Sequence, residues 1–354
     1  MDPLRFLLVD DSALFRTLLR NAINELPDCT VIGTASDGSQ AIQQCLALKP
    51  DVVTLDVEMP GMSGLDVLQR LIEEQLDIKV IMLSRLTMAG AQVTSDALLH
   101  GAFDFIPKPN GKNPSENKSW IVAELREKVA AIRTASPSWT EWNQTQPFVP
   151  TATAHPTRNT SRTPIECVVI GSSTGGPDAL AHIVPYLPAI IPAPIIIVQH
   201  MPEGFTRSLA RRLDEASEIE IVEAEDGMPL RNGTALLAPG GKHLRLWTGS
   251  DRLVRIELND DPKEHNCRPA IDYTLRSAVK IYGSRLLSII LTGMGRDGTE
   301  GCRVAASHGA LVMAQAPQGC IVYGMPKSVI EAGLTDQVVA LSDIPEAIIS
   351  AVNG

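Results

Sequence analysis

The chain has 354 residues and a mass of 38.1 kDa, more than one hydrophobic core usually holds, so we expect two domains. Hydrophobic residues make up 44% and charged residues 20%, which is typical of a globular protein and argues against wholesale disorder. The formal net charge of −10 argues against a nucleic-acid partner, because phosphate binding needs a basic surface. The six cysteines have neither CxxC nor Cys/His ligand spacing, so neither a zinc site nor a disulfide framework is expected.

The apolar segments of the sequence are short. The most apolar one, residues 190–198, contains two prolines and falls far below the roughly 20 residues that a transmembrane helix needs. The N-terminal segment reaches a pair of aspartates after one short apolar run and lacks a secretory cleavage site. We therefore expect a cytoplasmic protein.

A change of composition divides the chain. Residues 134–164 lose apolar periodicity and are rich in Thr, Pro and Ser, which predicts a linker between domains at 1–133 and 165–354. A flexible chain of this length has a reach of roughly 30 Å, enough for the domains to dock or separate. Three aromatic residues leave open whether part of the linker packs on a domain: Trp139, Trp142 and Phe148.

The first domain alternates short apolar runs with stretches of helical periodicity. The runs cover residues 6–9, 31–35, 52–55, 80–83 and 103–106. This alternation predicts a parallel sheet with helices on both faces, in which ligands bind beyond the carboxyl ends of the strands. Polar side chains follow four of the five runs at that end: Asp10, Asp11, Asp56, Ser84 and Lys108. Converging carboxylates suit a hard cation such as Mg²⁺.

These strand-end residues, with the Met-Pro-Gly-Met-Ser-Gly turn that begins three residues after Asp56, make residues 4–130 resemble the receiver domain of two-component response regulators. The resemblance implies a flavodoxin-like fold and a phosphoryl group accepted by Asp56. It also implies that Mg²⁺ is held by Asp10, Asp11 and Asp56 together with the backbone carbonyl of Glu58. A phosphoaspartate would add charge and acceptor oxygens that a metal and an ammonium can bind.

The same resemblance implies that Ser84 and Lys108 respond to the phosphorylated state. Phe105 stands where many receivers carry an aromatic residue that turns inward on activation. A buried core aromatic explains Phe105 equally well, so both interpretations stay open.

The second domain begins with an apolar run at residues 167–170 that leads into Gly-Ser-Ser-Thr-Gly-Gly at 171–176. A strand, a glycine turn and a helix are compatible with an anion site, with a turn that exposes a nucleophilic serine, or with a purely structural turn. The glycine spacing and the lack of a P-loop lysine disfavour nucleotide binding. Ser173 is the candidate nucleophile.

A nucleophilic serine needs a base and a group that orients the base. The run at 194–198 places His200 after one predicted strand, and the run at 286–291 is followed by a glycine-rich turn that contains Asp297. His200 could instead be an ordinary strand-end histidine, and Asp297 could be an N-cap for the helix that begins near Gly298. The order Ser, His, Asp differs from that of the α/β-hydrolases, which disfavours that superfamily.

Three turns in this domain carry a second resemblance. They are Gly-Ser-Ser-Thr-Gly-Gly at 171–176, Gln-His-Met-Pro-Glu-Gly-Phe-Thr at 199–206 and Leu-Thr-Gly-Met-Gly-Arg-Asp-Gly at 291–298. Behind a receiver domain, they resemble the signature turns of the protein-glutamate methylesterases of bacterial chemotaxis, the CheB family, over residues 165–352. The expected fold is therefore α/β, with two doubly wound parallel-sheet domains, the second Rossmann-like.

The resemblance implies a phosphorylation-activated hydrolase that removes methyl esters from chemoreceptor glutamates, releasing methanol, and deamidates selected receptor glutamines. Ser173 would be the nucleophile, His200 the base and Asp297 its orienting carboxylate, with Thr174 and the backbone of Met294 supporting the oxyanion. The implied partners are methyl-accepting chemoreceptors and a chemotaxis histidine kinase. No cofactor is expected for the hydrolysis itself.

Two other functions remain to be weighed. A phosphorylation-gated adaptor would bind receptors without turning them over, and the Ser, His and Asp set argues against it. A transcriptional output domain is disfavoured because the second domain is acidic and has no basic recognition helix. The resemblance further implies that the unphosphorylated receiver covers the hydrolase cleft, which predicts that deletion of residues 1 to 150 leaves an active hydrolase.

Overall fold

The structure is a computed structural model that describes residues 2–111, 113–135 and 164–354. These residues form two compact units, with the division between Thr134 and Ala135. The predicted linker and its three aromatic residues lie almost entirely outside the described residues, so the linker and the domain limits stay predictions. Within the described ranges, no helix combines the length and the apolar character that a bilayer crossing requires.

The first unit contains a five-stranded parallel sheet in the order β2-β1-β3-β4-β5. Its strands are β1 (Leu4–Val9), β2 (Cys29–Ala35), β3 (Val52–Asp56), β4 (Lys79–Ser84) and β5 (Asp104–Pro107). Its helices are α1 (Ala13–Ile23), α2 (Gly38–Leu48), α3 (Gly64–Glu73), α4 (Met88–Leu99) and α5 (Pro114–Thr134). This is the doubly wound flavodoxin-like order, and it confirms the predicted fold of this domain.

Local capping explains why the helices begin soon after the strands end. Ser12, Asp37, Ser63 and Thr87 each accept a hydrogen bond from a backbone amide of the first helical turn. At Ser63 the cap is reciprocal, because the Asp66 carboxylate accepts the Ser63 amide at 2.9 Å. Each such cap stabilises a helix start by about 1 kcal/mol. The short connections keep the side chains at the carboxyl ends of the strands close to one edge of the sheet.

The second unit contains a seven-stranded sheet in the order β14-β13-β12-β6-β7-β9-β8, with every neighbouring pair parallel. Its strands are β6 (Cys167–Ser172), β7 (Ile195–Gln199), β8 (Glu220–Glu223), β9 (Thr234–Leu237), β12 (Leu286–Ile290), β13 (Leu311–Gln315) and β14 (Gln337–Val339). Its α-helices are α6 (Gly176–Ala181), α7 (Thr206–Glu215), α8 (Ile271–Tyr282), α9 (Thr299–Ser307), α10 (Met325–Glu331) and α11 (Ile344–Asn353). The predicted second doubly wound domain is confirmed.

The strand order changes direction at the centre of this sheet. From β6 the chain proceeds to β7 on one side, and it later returns to β12 on the other side of β6. A crevice forms at such a switch point, beyond the carboxyl ends of the strands. The turns after β6, β7 and β12 therefore meet, and they are the three turns that the sequence singled out.

An antiparallel hairpin departs from the parallel pattern and was not predicted. Strands β10 (His243–Thr248) and β11 (Val254–Asn259) pair with each other in a separate two-stranded sheet. Buried Leu244 and Leu246 join the core beside α8, and the Thr274 hydroxyl of that helix donates to the Leu244 carbonyl at 2.8 Å. The hairpin thus packs on the same helix whose first turn borders the crevice.

Candidate functional site

An acidic site lies at the carboxyl edge of the first sheet. Asp10 follows β1 and Asp56 ends β3, and both carboxylates are buried. The Lys108 ammonium lies 2.7 Å from Oδ2 of Asp10 and 2.7 Å from Oδ2 of Asp56. Asp11 is exposed, and one carboxylate oxygen from each of the three aspartates lies within 4.8 Å of the others. The structure therefore brings together four of the residues that the sequence predicted for this site.

The chemistry of this cluster fits a divalent cation. Asp10 and Asp56 share the Lys108 ammonium, and with Asp11 the cluster has an excess of negative charge that a divalent cation would balance. Hard oxygen ligands of this kind suit Mg²⁺. The Glu58 amide donates to Asp56 Oδ1 at 3.3 Å, whereas its carboxylate lies 3.6 Å from the Arg85 guanidinium. This arrangement is compatible with a ligand from the Glu58 backbone rather than from its side chain, which stays a prediction.

Burial sets the acidity of Asp56. It raises the pKa of this carboxyl from 3.8 to about 6, although the hydrogen bond from Lys108 acts in the opposite direction. Sequence reasoning missed Phe15, whose ring lies under the Lys108 ammonium at 4.9 Å from nitrogen to centroid. Lys108 is thus held between an aromatic face and two carboxylates, which fixes the position of its charge.

The remaining predicted receiver residues, Ser84 and Phe105, lie in β4 and β5. Ser84 is fully buried at the end of β4, and its hydroxyl donates to the Arg85 carbonyl at 3.3 Å. Its own carbonyl accepts the Lys108 amide at 2.6 Å, which joins the ends of β4 and β5. Phe105 is buried in β5. A role for Ser84 and Phe105 in signalling stays a prediction.

In the second unit, backbone hydrogen bonds hold the three crevice turns together. The Ser173 amide donates to the Thr292 carbonyl at 3.0 Å, and the His200 amide donates to the Ser172 carbonyl at 3.0 Å. A Cβ on Gly293 would lie 2.7 Å from the Ser173 Cβ, a separation that real side chains do not adopt. A glycine is therefore required for the third turn to approach the serine.

The three candidate catalytic residues lie around the crevice. His200 Nε2 is 2.8 Å from Asp297 Oδ2, and the Asp297 side chain is almost fully buried. The His200 ring hydrogen-bonds to Asp297, and within the described ranges no hydrogen bond joins it to the Ser173 hydroxyl. Catalytic hydrogen bonds are often loose before substrate binds, so this geometry does not exclude a base role for His200.

Asp297 also caps a helix, though not the one that the sequence suggested. Helix α9 begins at Thr299 with Gly298 as its N-cap, so Asp297 lies one residue too early. Its carboxylate instead accepts the Ile271 amide at 2.7 Å and the Asp272 amide at 2.9 Å, which are the first two amides of α8. A further bond from the Gly298 amide measures 2.9 Å. The predicted N-cap of the helix near Gly298 is therefore wrong, and Asp297 instead caps α8 while it bonds to the imidazole.

These contacts lower the pKa of Asp297 and raise the pKa of His200, and both shifts favour an ion pair. Burial raises the pKa of Asp297, but the His200 imidazole and the backbone amides outweigh it and keep the carboxyl below its usual range. Burial lowers the pKa of His200, but Cys267 and Asp297 outweigh it and raise the imidazole above its usual range. The arrangement stabilises a positive charge on His200, as a general base requires after it takes a proton.

The two predicted oxyanion residues lie in the same region. Thr174 is buried in the first turn, and its carbonyl accepts the Thr292 hydroxyl at 3.0 Å. Met294 lies between Gly293 and Gly295 in the third turn, and Gly295 has a φ of +88°. Their position near Ser173 is compatible with the predicted role, which stays a prediction.

Sequence reasoning assigned no role to Gln199, although it begins the second motif. Its buried amide donates to the Ser173 carbonyl at 2.9 Å and to the His200 carbonyl at 3.1 Å. The Ser172 hydroxyl donates to Gln199 Oε1 at 2.6 Å. Gln199 thus fixes the backbone of the nucleophile turn against that of the base turn. A polar side chain at the end of an apolar strand was the available signal.

Comparisons with known proteins agree with both halves of the chain. A family model described as CheB methylesterase matches residues 168–348, and one described as response regulator receiver domain matches residues 6–116. The fold and the matched families define a response regulator with a hydrolase output domain.

Relatives match over the whole length of the chain. A protein-glutamate methylesterase/protein-glutamine glutaminase of Thermotoga maritima is 44% identical over 352 residues, covering 99% of this chain and 98% of the relative. One of Pyrococcus abyssi is 41% identical over 364 residues, covering 99% and 94%. The crystal structure of the Thermotoga maritima CheB methylesterase catalytic domain is 48% identical, covers 53% of this chain and 99% of that chain, and has a TM-score of 0.52. The chain belongs to the protein-glutamate methylesterase/protein-glutamine glutaminase family, and the resemblance seen in the sequence is confirmed.

Proposed function

We propose that this protein hydrolyses the methyl esters of chemoreceptor glutamates and deamidates selected receptor glutamines, under the control of phosphorylation at Asp56. The observation that carries the proposal is the buried His200–Asp297 pair at 2.8 Å, in turns that are hydrogen-bonded to the Ser173 turn. The relatives named above carry the two activities in their names, and they match this chain from end to end.

In the proposed reaction, the Ser173 hydroxyl attacks the ester carbonyl carbon of the substrate side chain. Because His200 Nε2 faces Asp297, Nδ1 is the ring nitrogen that takes the serine proton. The imidazolium then returns this proton to the leaving group, which departs as methanol from an ester or as ammonia from an amide. Water hydrolyses the acyl-enzyme in the reverse sense, and glutamate is the product in both cases.

The charge that develops during the attack needs stabilisation on both sides of the crevice. Asp297 stabilises the imidazolium, and its three backbone donors keep it ionised and correctly oriented. The backbone amide of Met294, together with Thr174, would donate hydrogen bonds to the oxyanion. The loss of one such donor typically costs about a hundredfold in rate.

In the receiver, Asp56 would accept the phosphoryl group from a chemotaxis histidine kinase. A bound Mg²⁺, held by Asp10, Asp11, Asp56 and the Glu58 carbonyl, would neutralise charge on the phosphoryl oxygens. Lys108 would exchange its bond to the Asp56 carboxylate for one to the phosphoryl group. The resulting change at the end of β5 is the signal to the hydrolase.

The test is methanol release from methylated receptor membranes, with ammonia release from receptors that carry glutamine as the second readout. Wild type is compared with Ser173→Ala and Asp56→Asn, each with and without a small phosphodonor and Mg²⁺. We expect release that requires Ser173 and that rises with the phosphodonor only when Asp56 is present.

The other outcomes separate the alternatives. Release that is unaffected by phosphodonor would keep the hydrolase and reject control by the receiver. No release under any condition, with retained receptor binding, would reject the hydrolase in favour of a phosphorylation-gated adaptor.

A further inference from the structure

A tight turn at Glu264–Cys267 borders the catalytic pair. The Glu264 amide donates to the Cys267 carbonyl at 3.1 Å, and the Cys267 amide donates to the Glu264 carbonyl at 2.8 Å. The two central residues, His265 and Asn266, both have left-handed backbone, with φ of 50° and 65°. This is uncommon for histidine, and such strain persists where surrounding contacts impose it.

The turn brings two side chains to the catalytic groups. His265 Nε2 lies 2.8 Å from Asp272 Oδ2 and 3.8 Å from Asp297 Oδ1. Burial lowers the pKa of His200, and Cys267 at the end of the turn acts against burial and raises it. A second imidazole–carboxylate pair, His265–Asp272, therefore lies directly beside the first pair, His200–Asp297.

Two buried carboxylates, those of Asp272 and Asp297, lie close together in this cluster. Asp272 and Asp297 are 1% and 2% exposed, and the Asp272 amide donates to Asp297 Oδ1 at 2.9 Å. Burial, and then the neighbouring charge of Asp297, raise the pKa of Asp272. The Gly301 amide donates to Asp272 Oδ1 at 2.6 Å and compensates in part. An ionised Asp272 without a further partner would add a second negative charge close to His200.

Two other titratable side chains of the described residues lie around this pair. Arg276, one turn further along α8, pairs with Glu264 of the same tight turn. The buried Cys302 thiol of α9 faces both carboxylates, and burial raises its pKa, which keeps it neutral. His265 is therefore the side chain placed to compensate Asp272.

We propose that His265 is a positioning residue for the hydrolysis: its bond to Asp272 compensates that carboxylate, so that Asp297 is the carboxylate that sets the charge on His200. This rests on the proposed function of Ser173, His200 and Asp297. The His265 imidazole lies 2.8 Å from Asp272 Oδ2 but 3.8 Å from Asp297 Oδ1, so it compensates Asp272 more than Asp297.

The proposal predicts a direction for the pH dependence. Replacing His265 leaves Asp272 uncompensated, and the added negative charge favours the imidazolium form of His200 before substrate binds. Less His200 is then available as a base at neutral pH, so the acidic limb of kcat/KM moves to higher pH. Replacing Asp272 as well removes the added charge and returns the limb toward its original position.

The experiment measures kcat/KM for methanol release between pH 5.5 and 9.5 in the full chain with phosphodonor present. His265→Gln is expected to move the acidic limb of the kcat/KM profile to higher pH by about half to one pH unit. The value of kcat/KM should fall roughly 3- to 10-fold at pH values below this limb and change little on its alkaline side. The double variant His265→Gln with Asp272→Asn is expected to recover most of that shift. Asn266→Gly is the matched control, because it changes the same turn without changing charge, and its limb should coincide with that of wild type.

Three results would overturn the proposal. They are an unchanged limb in His265→Gln, an equal loss at all pH values, or a double variant no closer to wild type than the single one. Failure of the proposed function is distinguishable, because Ser173→Ala would then retain the wild-type rate. Thermal unfolding of each variant confirms that the profiles compare folded proteins.

Discussion

Replacement of Asp297 by asparagine tests the catalytic assignment most directly. The carboxylate accepts three backbone amides at 2.7 to 2.9 Å and lies 2.8 Å from His200 Nε2. Asparagine has nearly the same shape but presents one oxygen and one amide donor. Its oxygen can serve the helix amides or the imidazole, but not all of these donors at once. The variant therefore keeps the space filled and removes the charge.

The size of the expected effect follows from the separation of the charges. Unit charges about 4 Å apart interact by about 4 kcal/mol at an effective dielectric constant of about 20. The imidazolium of the transition state would lose that stabilisation, which corresponds to about a thousandfold in kcat. A misoriented imidazole would add to the loss. We expect Asp297→Asn to retain about a thousandth of the wild-type kcat or less.

The pH dependence of kcat/KM is a second, independent test of the role of Asp297. Asp297 helps to raise the pKa of His200, so removing its charge lowers that pKa and moves the acidic limb of kcat/KM to lower pH. The assay is methanol release over the pH range, with Asp214→Asn as control, because the Asp214 carboxylate accepts the Ile221 amide at 2.8 Å outside the crevice. A loss smaller than tenfold, or a limb that moves to higher pH, would refute the assignment of Asp297.

Three further predictions concern other parts of the chain. Asp56→Asn should stabilise the receiver by up to about 3 kcal/mol at pH 7 without divalent cations, measured by urea unfolding, because the raised pKa of about 6 makes ionisation unfavourable in the folded state. This gain should shrink as the pH falls from 6 toward 4, and a gain that grows instead would contradict the reasoning. Gly293→Ala should reduce methanol release at least tenfold, because its Cβ would lie 2.7 Å from the Cβ of Ser173. Gln199→Ala should lower kcat by about tenfold or more with little effect on KM, since two turn carbonyls lose their donor; an altered KM alone would contradict it.

Much of the fold was predictable because parallel strands buried on both faces are short runs of Val, Ile and Leu. Residues 52–55 and 194–198 are such runs, and β3 and β7 match them to within one residue at each end. The candidate residues were predictable for the same reason. Asp56 follows the first run directly, His200 follows the second after Gln199, and a sheet gathers the carboxyl ends of its strands at one edge.

The remaining features depend on contacts between distant segments. The bonds from Asp297 to the first turn of α8 join residues 25 and 26 positions apart, and no local pattern marks them. Hairpin β10–β11 has partly exposed faces, so its apolar residues alternate with polar ones and give a weaker signal than the buried strands. His265 lies in a polar stretch whose left-handed backbone is not typical of its residue type.

The position of Asp297 links the stability of the domain to its chemistry. Helix α8 has no side-chain cap of its own, and its first amides would be unsatisfied without this carboxylate. The helix amides in turn keep the carboxylate ionised in a buried site, where an isolated charge would be strongly disfavoured. The Asp297 carboxylate thus caps helix α8, and the helix amides stabilise its charge. They also fix the orientation in which the carboxylate bonds to the His200 imidazole. A carboxylate held only by His200 could rotate or take up a proton, whereas one fixed by three amides is oriented before substrate arrives.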